Sequence, residues 1–232
     1  MIRWLRPGDP FPPLTQALAE PNGLLAAGGE LSAARLIDAY RNGIFPWFNS
    51  GQPILWWSPD PRMVLIPREL KVARSLAKIL RNRDYEVRAD TDFRQVICAC
   101  AEPRATDDGT WISAEMIAAY CALHQRGIAH SLETWIGGEL AGGLYGVAIG
   151  RMFYGESMFT RAPDASKIAL VHLARELQRR DFGMIDCQMY TRHLASFGAR
   201  EIPRADFVRK LQELVNCPLA PGRWTIDRDF VE

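Results

Sequence analysis

Residues 128–188 leave the chain little choice of fold. Ile128–Trp135 reads as a strand, Gly137–Gly138 supplies a tight turn, and Leu140–Ile149 runs back as a second strand. Gly150 turns the chain into a third strand, Met152–Met158. A helical pattern over Asp164–Arg180 follows, then a short buried strand, Met184–Gln188, then a last helix over Arg204–Asn216 and an irregular tail. Strands joined by such short turns pair antiparallel, because a parallel return needs a crossover of about a dozen residues. The pattern is therefore α+β, with Gly142, Gly143 and Gly146 inside the middle strand.

Four helices are readable upstream. Leu31–Asn42 has Ser32 near its start and Gly43 as its stop, and Ser113–Arg126 has Ser113 as its cap and Gly127 as its stop. Arg68–Arg83 and Asp92–Ala101 lie between them. The first sixty residues are otherwise rich in Pro and Gly, and read as a small irregular N-terminal domain, 1–62, ahead of a larger one, 63–232. At 232 residues and 48% hydrophobic content, the core needs no metal or disulfide staple. The five cysteines, Cys98, Cys100, Cys121, Cys187 and Cys217, are odd in number and irregular in spacing, so neither a disulfide framework nor a zinc site is expected. A reducing cytoplasm is the simple reading. No apolar run fits a secretory leader, and none approaches the roughly 18 residues of a membrane span.

Two surface features stand out. The whole chain carries +1, yet residues 62–88 hold eight Lys or Arg against three acids, a local +5. On the helix read there, Lys71, Arg74, Lys78 and Arg81 fall within a narrow arc without an acid among them, which is either a solvated face or a phosphate-binding stripe. The second feature is GIFPWFNSGQPILWWSPDPR (43–62), with three of the seven Trp in a segment broken by four prolines. Trp56 and Trp57 read best as glue between the domains.

Three antiparallel strands, a helix and one more strand is the core order of the GCN5-related acyltransferases, so the larger domain resembles a GNAT-like fold. Acyl-CoA enzymes of that fold wrap a pyrophosphate with a glycine-rich turn after the third strand. Here that connection is Phe159-Thr160-Arg161-Ala162-Pro163-Asp164-Ala165-Ser166-Lys167, with no glycine and one proline. CoA is therefore not expected, and no other nucleotide fingerprint is present. No cofactor is called for, and the acyl group would arrive on another carrier.

The motifs PNGLLAAGGELS (21–32), AYRNGIFPWF (39–48), ILWWSPDPR (54–62), GTWI (109–112), LYGVAIG (144–150), FYGESMFTR (153–161), ASK (165–167), IDCQ (185–188) and HLASFGAREIPR (193–204) resemble the bacterial leucyl/phenylalanyl-tRNA–protein transferase family. The resemblance implies transfer of Leu or Phe from aminoacyl-tRNA to proteins with N-terminal Lys or Arg, creating a degradation signal, with tRNA as carrier. Two alternatives stand beside it: a related transferase with acidic acceptors, and a tRNA-binding module without activity. The resemblance places Tyr40, Trp47 and Trp111 around the terminal adenosine of the tRNA, where flat rings hold an unstacked base. It maps the aminoacyl pocket onto Leu144, Phe153, Met158, Leu173, Leu177 and Ile185, and ties Asp186 and Gln188 to catalysis. Leu144, Leu173 and Leu177 depart from the family's better-known Met and Phe, which leaves the Leu-versus-Phe preference open.

The chemistry asked of such a site is modest. The donor ester is already activated, and alignment alone supplies about 7–11 kcal/mol. An N-terminal α-amine has a pKa of about 7.7–8.0, so a useful fraction is neutral near pH 7. Asp186 and Gln188 are two apart on a strand and are expected to share one face, with Cys187 pointing away. That weakens a Cys187–His193 nucleophile pair. Gln188 would orient the amine or carbonyl, and Asp186 would accept the proton or hold the ammonium. Glu156, ending the third strand, would pair with the acceptor's cation or with the donor's amino group, or serve only as a structural acid.

Overall fold

The computed structural model describes residues 2–102, 111–218 and 222–226. The N-terminal part, expected to be irregular, builds a four-stranded sheet from β1 (Arg3–Leu5), β2 (Leu24–Gly28), β3 (Phe45–Pro46) and β4 (Leu55–Trp57), in the order β1-β2-β4-β3. These strands are too short and too broken by proline to show a period of two. The expected helix is present as α1 (Ala33–Arg41), and the Ser32 hydroxyl accepts from the Arg35 N–H at 3.1 Å. Trp56 is fully buried and donates its indole N–H to the Gly28 carbonyl at 2.8 Å. Trp57 donates to the Trp47 carbonyl at 2.7 Å. These indole bonds stitch β4 to its neighbours inside the N-terminal part, and do not run across to the larger domain as the expected glue between domains would.

The second sheet has seven strands: β5 (Arg62–Leu65), β6 (Glu86–Ala89), β7 (Ala129–Ile136), β8 (Glu139–Ile149), β9 (Met152–Thr160), β10 (Met184–Gln188) and β11 (Arg200–Ile202). Their order is β11-β5-β10-β9-β8-β7-β6. The antiparallel meander β7-β8-β9 and the later strand β10 lie within two residues of where the sequence puts them. The helices are α2 (Arg74–Asn82), α3 (Phe93–Ala101), α4 (Ala114–Gln125), α5 (Ala165–Arg179), α6 (Arg192–Ser196) and α7 (Arg204–Val215). Asp92 caps α3 and Ser113 caps α4, each accepting a backbone N–H from three residues on. With β9 and β10 parallel across α5 and the other pairings antiparallel, this is the GNAT-like α+β arrangement.

Each face of the large sheet has its own core. Leu132, Leu144, Phe153 and Ile185 pack against Ile168, Leu173 and Leu177 of α5. On the other face, Ala129, Tyr145, Val147 and Tyr154 pack with α1, α3, α4, α7 and the small sheet. Glycines in β8 allow the closest approaches. A Cβ on Gly142 would sit 2.6 Å from the Ala165 Cβ, and one on Gly146 only 2.2 Å from the Tyr154 carbonyl oxygen.

The basic helix is shorter than expected. Pro67–Glu69 is a single 3-10 turn and the chain is extended up to Ala73. The cause is a competing partner: the Lys71 N–H bonds to the Phe197 carbonyl at 2.9 Å instead of closing a helical turn. Arg74, Lys78 and Arg81 remain on one exposed face of α2, while Lys71 lies ahead of it, also exposed. Among the described residues no helix is long and apolar enough to cross a membrane, and no group of three or more His, Cys, Asp or Glu could hold a metal ion.

Gly146→Ala should destabilise the fold by about 2–3 kcal/mol, because the new methyl meets a backbone oxygen and the Phe153 ring rather than a yielding side chain. Chemical denaturation measures this, and Gly155→Ala, whose new methyl would meet nothing closer than 3.6 Å, serves as the uncrowded comparison.

Candidate active site

β9 and β10 share the pairs Met152↔Met184, Phe153↔Ile185 and Tyr154↔Asp186, and then part. β9 continues with β8 as far as Thr160, while the end of β10 stays with β5. A cleft of about 860 Å³ opens between the diverging strands. Its apolar wall holds Leu144, Phe153, Met158, Leu173 and Ile185, five of the six positions expected to form a pocket. Leu177 is buried in the same core but does not line the cleft. On α5 the lining residues are Ser166, Leu170 and Leu173, and Leu177 lies one turn beyond, where the strands have closed.

Trp47 and Trp111 line the cleft beside Phe45, and Trp47 is 38% exposed. Trp47 is held from behind: its N–H donates to the Leu55 carbonyl, and the Trp57 ring meets it edge-on at 5.5 Å. Gly109 and Thr110 of the GTWI motif lie outside the described residues. Tyr40 is placed differently from the adenosine contact expected of it. It belongs to the buried stripe Leu36, Ala39, Tyr40 of α1, and its ring packs on Tyr154 at 4.8 Å and does not line the cleft.

What Tyr40 offers is its hydroxyl, donated to Oε1 of Glu156 at 2.8 Å. Tyr120 of α4 donates to Oε2 at 2.8 Å, and the two hydroxyls share a short hydrogen bond. The Gln188 side-chain amide adds a fourth contact, donating to Oε1 at 3.1 Å. Burial pushes the Glu156 carboxyl up to about 7, against the lowering effect of both tyrosine hydrogen bonds. Burial and the nearby Glu156 hold both phenols well above their usual range, so they stay protonated. A proton count agrees with the raised carboxyl. Tyr40, Tyr120 and Glu156 form a closed ring of three contacts but own only two hydroxyl protons, so the ring is complete when Glu156 carries a third.

Asp186 and Gln188 do not share a face. Asp186 is fully buried and turned away from the cleft, with Oδ1 and Oδ2 gripped by Arg62 at 2.8 and 2.6 Å. Cys187 and Gln188 both line the cleft instead. Strand alternation fails because the register against β5 slips between Asp186 and Gln188, and Gln188 takes a left-handed backbone with φ 64°. That turn is held by the Gln188 N–H donating to Asp186 Oδ1 at 2.9 Å. Although Cys187 faces the cleft, burial first and the Asp186 charge next push its thiol far up, so it is protonated and a poor nucleophile near neutral pH. Where a CoA loop would present its amides, the Arg161 and Ala162 N–H groups both bond to the Ala141 carbonyl, at 2.7 and 3.1 Å.

The family model described as leucyl/phenylalanyl-tRNA protein transferase matches residues 64–212, and that of its N-terminal domain matches 29–60. The chain belongs to the leucyl/phenylalanyl-tRNA–protein transferase family. Proteins with the name leucyl/phenylalanyl-tRNA–protein transferase include one from Nitrosomonas europaea, 66% identical over 98% of this chain and 96% of its own length. Another, from Nitrosospira multiformis, is 63% identical over the full length of both chains. A third, from Thiobacillus denitrificans, is 67% identical over 94% and 95%.

Two residues of this family member were not singled out from sequence. Tyr120 falls on the apolar stripe of α4 with Met116 and Leu123 and reads as core, so nothing in the spacing marks its hydroxyl. Arg62 did leave a signal: a lone cation opening the apolar run Met63–Ile66 needs a buried partner.

Glu156→Gln should change stability in a pH-dependent way. The folded carboxyl titrates near 7, above its unfolded value, so its favourable contribution is intact below about pH 4.5 and lost as pH rises through 7. The variant should therefore gain on the wild type between those limits, by about 1–3 kcal/mol at pH 8. Denaturant titrations from pH 4.5 to 8 measure this. A constant difference at every pH contradicts the raised carboxyl.

Proposed function

We propose that this enzyme transfers Leu or Phe from aminoacyl-tRNA to the N-terminal α-amine of proteins beginning with Lys or Arg, in the cytoplasm, marking them for proteolysis. The observation that carries the reading is the match, along nearly the whole chain, to relatives named for transfer from leucyl- or phenylalanyl-tRNA to protein. The cleft suits the donor: an apolar wall for Leu or Phe lies beside an aromatic rim for the terminal adenosine, at Trp47 and Trp111. The exposed Lys71, Arg74, Lys78 and Arg81 would take phosphates of the tRNA body.

In the proposed reaction the neutral amine attacks the ester carbonyl, a C–N bond forms, and the bond to the 3′-oxygen of the ribose breaks. Gln188 holds Glu156 through its amide nitrogen, and its amide oxygen accepts from the incoming amine. Ionised Glu156 takes the proton the amine loses, and that proton completes the ring with Tyr40 and Tyr120. The proton then passes to the leaving 3′-oxygen. Asp186 contributes by fixing the Gln188 turn through Arg62. Glu156 lines the cleft, and in this reading its carboxylate meets the reacting amine in place of the acceptor's cation or the donor's amino group.

The direct test is transfer of labelled Leu from tRNA to peptides beginning with Arg, Lys, Asp or Glu. Transfer to Arg and Lys alone is expected. Transfer to Asp or Glu would favour the acidic-acceptor alternative, and none at all would leave a binding module. Gln188→Ala should slow transfer about ten- to a hundredfold, the effect of one buried orienting hydrogen bond. Replacing Arg74, Lys78 and Arg81 together with Ala should weaken tRNA binding and flatten its salt dependence. The rate with a minimal aminoacyl-adenosine donor should barely change, and equal losses with both donors would remove the phosphate role.

A further inference from the structure

Residues 222–226 come back to the large sheet on the side covered by α5, beyond the end of the family model at 212. Trp224 is 3% exposed and fixed at both ends. Its backbone N–H donates to Asp90 Oδ2 at 2.7 Å, and its ring stacks on His130 at 4.0 Å and 12°. Asp90 is buried and also bonds His130 Nδ1 at 2.8 Å and the Ser131 N–H at 2.9 Å. The Arg180 guanidinium covers the indole at 4.7 Å. The ring also meets Phe182 and Phe153, each at 5.9 Å.

Phe153 is the link to the cleft. It is fully buried and forms part of the apolar wall. Gly146 leaves it no slack on one side, since a Cβ there would lie 2.5 Å from the Phe153 ring. Trp224 packs against it as well. A ring confined in this way cannot shift to deepen the pocket, because interiors are packed without spare volume.

We propose that Trp224 sets the depth of the aminoacyl pocket by holding Phe153 from behind, which makes it a positioning residue for the choice between Leu and Phe donors. This rests on the transfer reading above. The anchor at Asp90 and His130 is independent of the pocket, so the tail acts as a fixed wedge. Removing the indole gives Phe153 room to retreat. The pocket then admits the longer Phe side chain more readily, while Leu loses contact with the wall. Apolar pockets discriminate a methylene-sized change by about tenfold or more.

The test compares kcat/KM for leucyl- and phenylalanyl-adenosine donors in the wild type, Trp224→Gly and Trp224→Phe. The expected result is a Phe:Leu ratio raised about tenfold in Trp224→Gly and by less in Trp224→Phe. Added indole should return the Trp224→Gly ratio toward wild type, because apolar cavities take up matching apolar ligands. If Trp224→Gly does not fold, Trp224→Phe alone carries the reading. A wild-type ratio in the folded variants, with only the melting temperature lowered, overturns the proposal and leaves the tail a staple. A wild-type chain that transfers neither donor overturns the transfer reading, and this inference with it.

Discussion

The Arg62–Asp186 pair holds the two halves of the molecule and its cleft in one arrangement. Both side chains are fully buried, and the guanidinium grips both carboxylate oxygens. The remaining Arg62 nitrogen donates to the Gly43 carbonyl at 3.2 Å, just past the end of α1, and the rings of Phe45 and Phe207 lie within 5 Å of the cation. One side chain therefore joins β5, β10, α7 and the loop leading to the aromatic rim. Such a pair adds little net stability compared with apolar residues, yet losing one partner costs about 3–5 kcal/mol. Its value is geometric. It holds Asp186 where that carboxylate can fix the left-handed turn at Gln188.

From that turn the chemistry follows. Gln188 reaches across the gap between the parting strands to Glu156 on β9, so the cleft is bridged where β10 stops pairing with β9. Glu156 belongs to a buried cluster whose proton count changes by one near neutral pH. A strong base is not required for an activated ester, and a carboxylate near 7 matches the nucleophile's own ionisation. In the proposed reaction, donor binding and proton acceptance would use opposite faces of the splayed strands. The apolar wall packs on α5, and the tyrosines come from α1 and α4.

Much of this was legible in the sequence, for identifiable reasons. β7, β8 and β9 are marked off by the glycine turns at Gly137–Gly138 and Gly150, and α1, α3 and α4 carry capping side chains at their starts. The small sheet was hidden because its strands run two to five residues and pair with segments distant in sequence. The first turn expected of the basic helix was lost to a tertiary partner, the Phe197 carbonyl, that no local propensity reveals. In the site, Gln188 and the two rim tryptophans were named from motif resemblance, and Glu156 from its charge at the end of the third strand. The parity argument for Asp186 failed at a register slip, which is invisible without the partner strand.

The central claim is that Glu156 takes the proton while Asp186 only positions Gln188. The most direct measurement is the pH dependence of single-turnover transfer to a small nucleophile that stays neutral across the range, so that amine ionisation drops out. Wild type should show one inflection near pH 7, where the buried Glu156 carboxyl titrates. Glu156→Gln should lose that inflection, and Asp186→Asn should keep it at a lower rate. An inflection that survives in Glu156→Gln and disappears in Asp186→Asn would contradict the assignment and return the proton to Asp186.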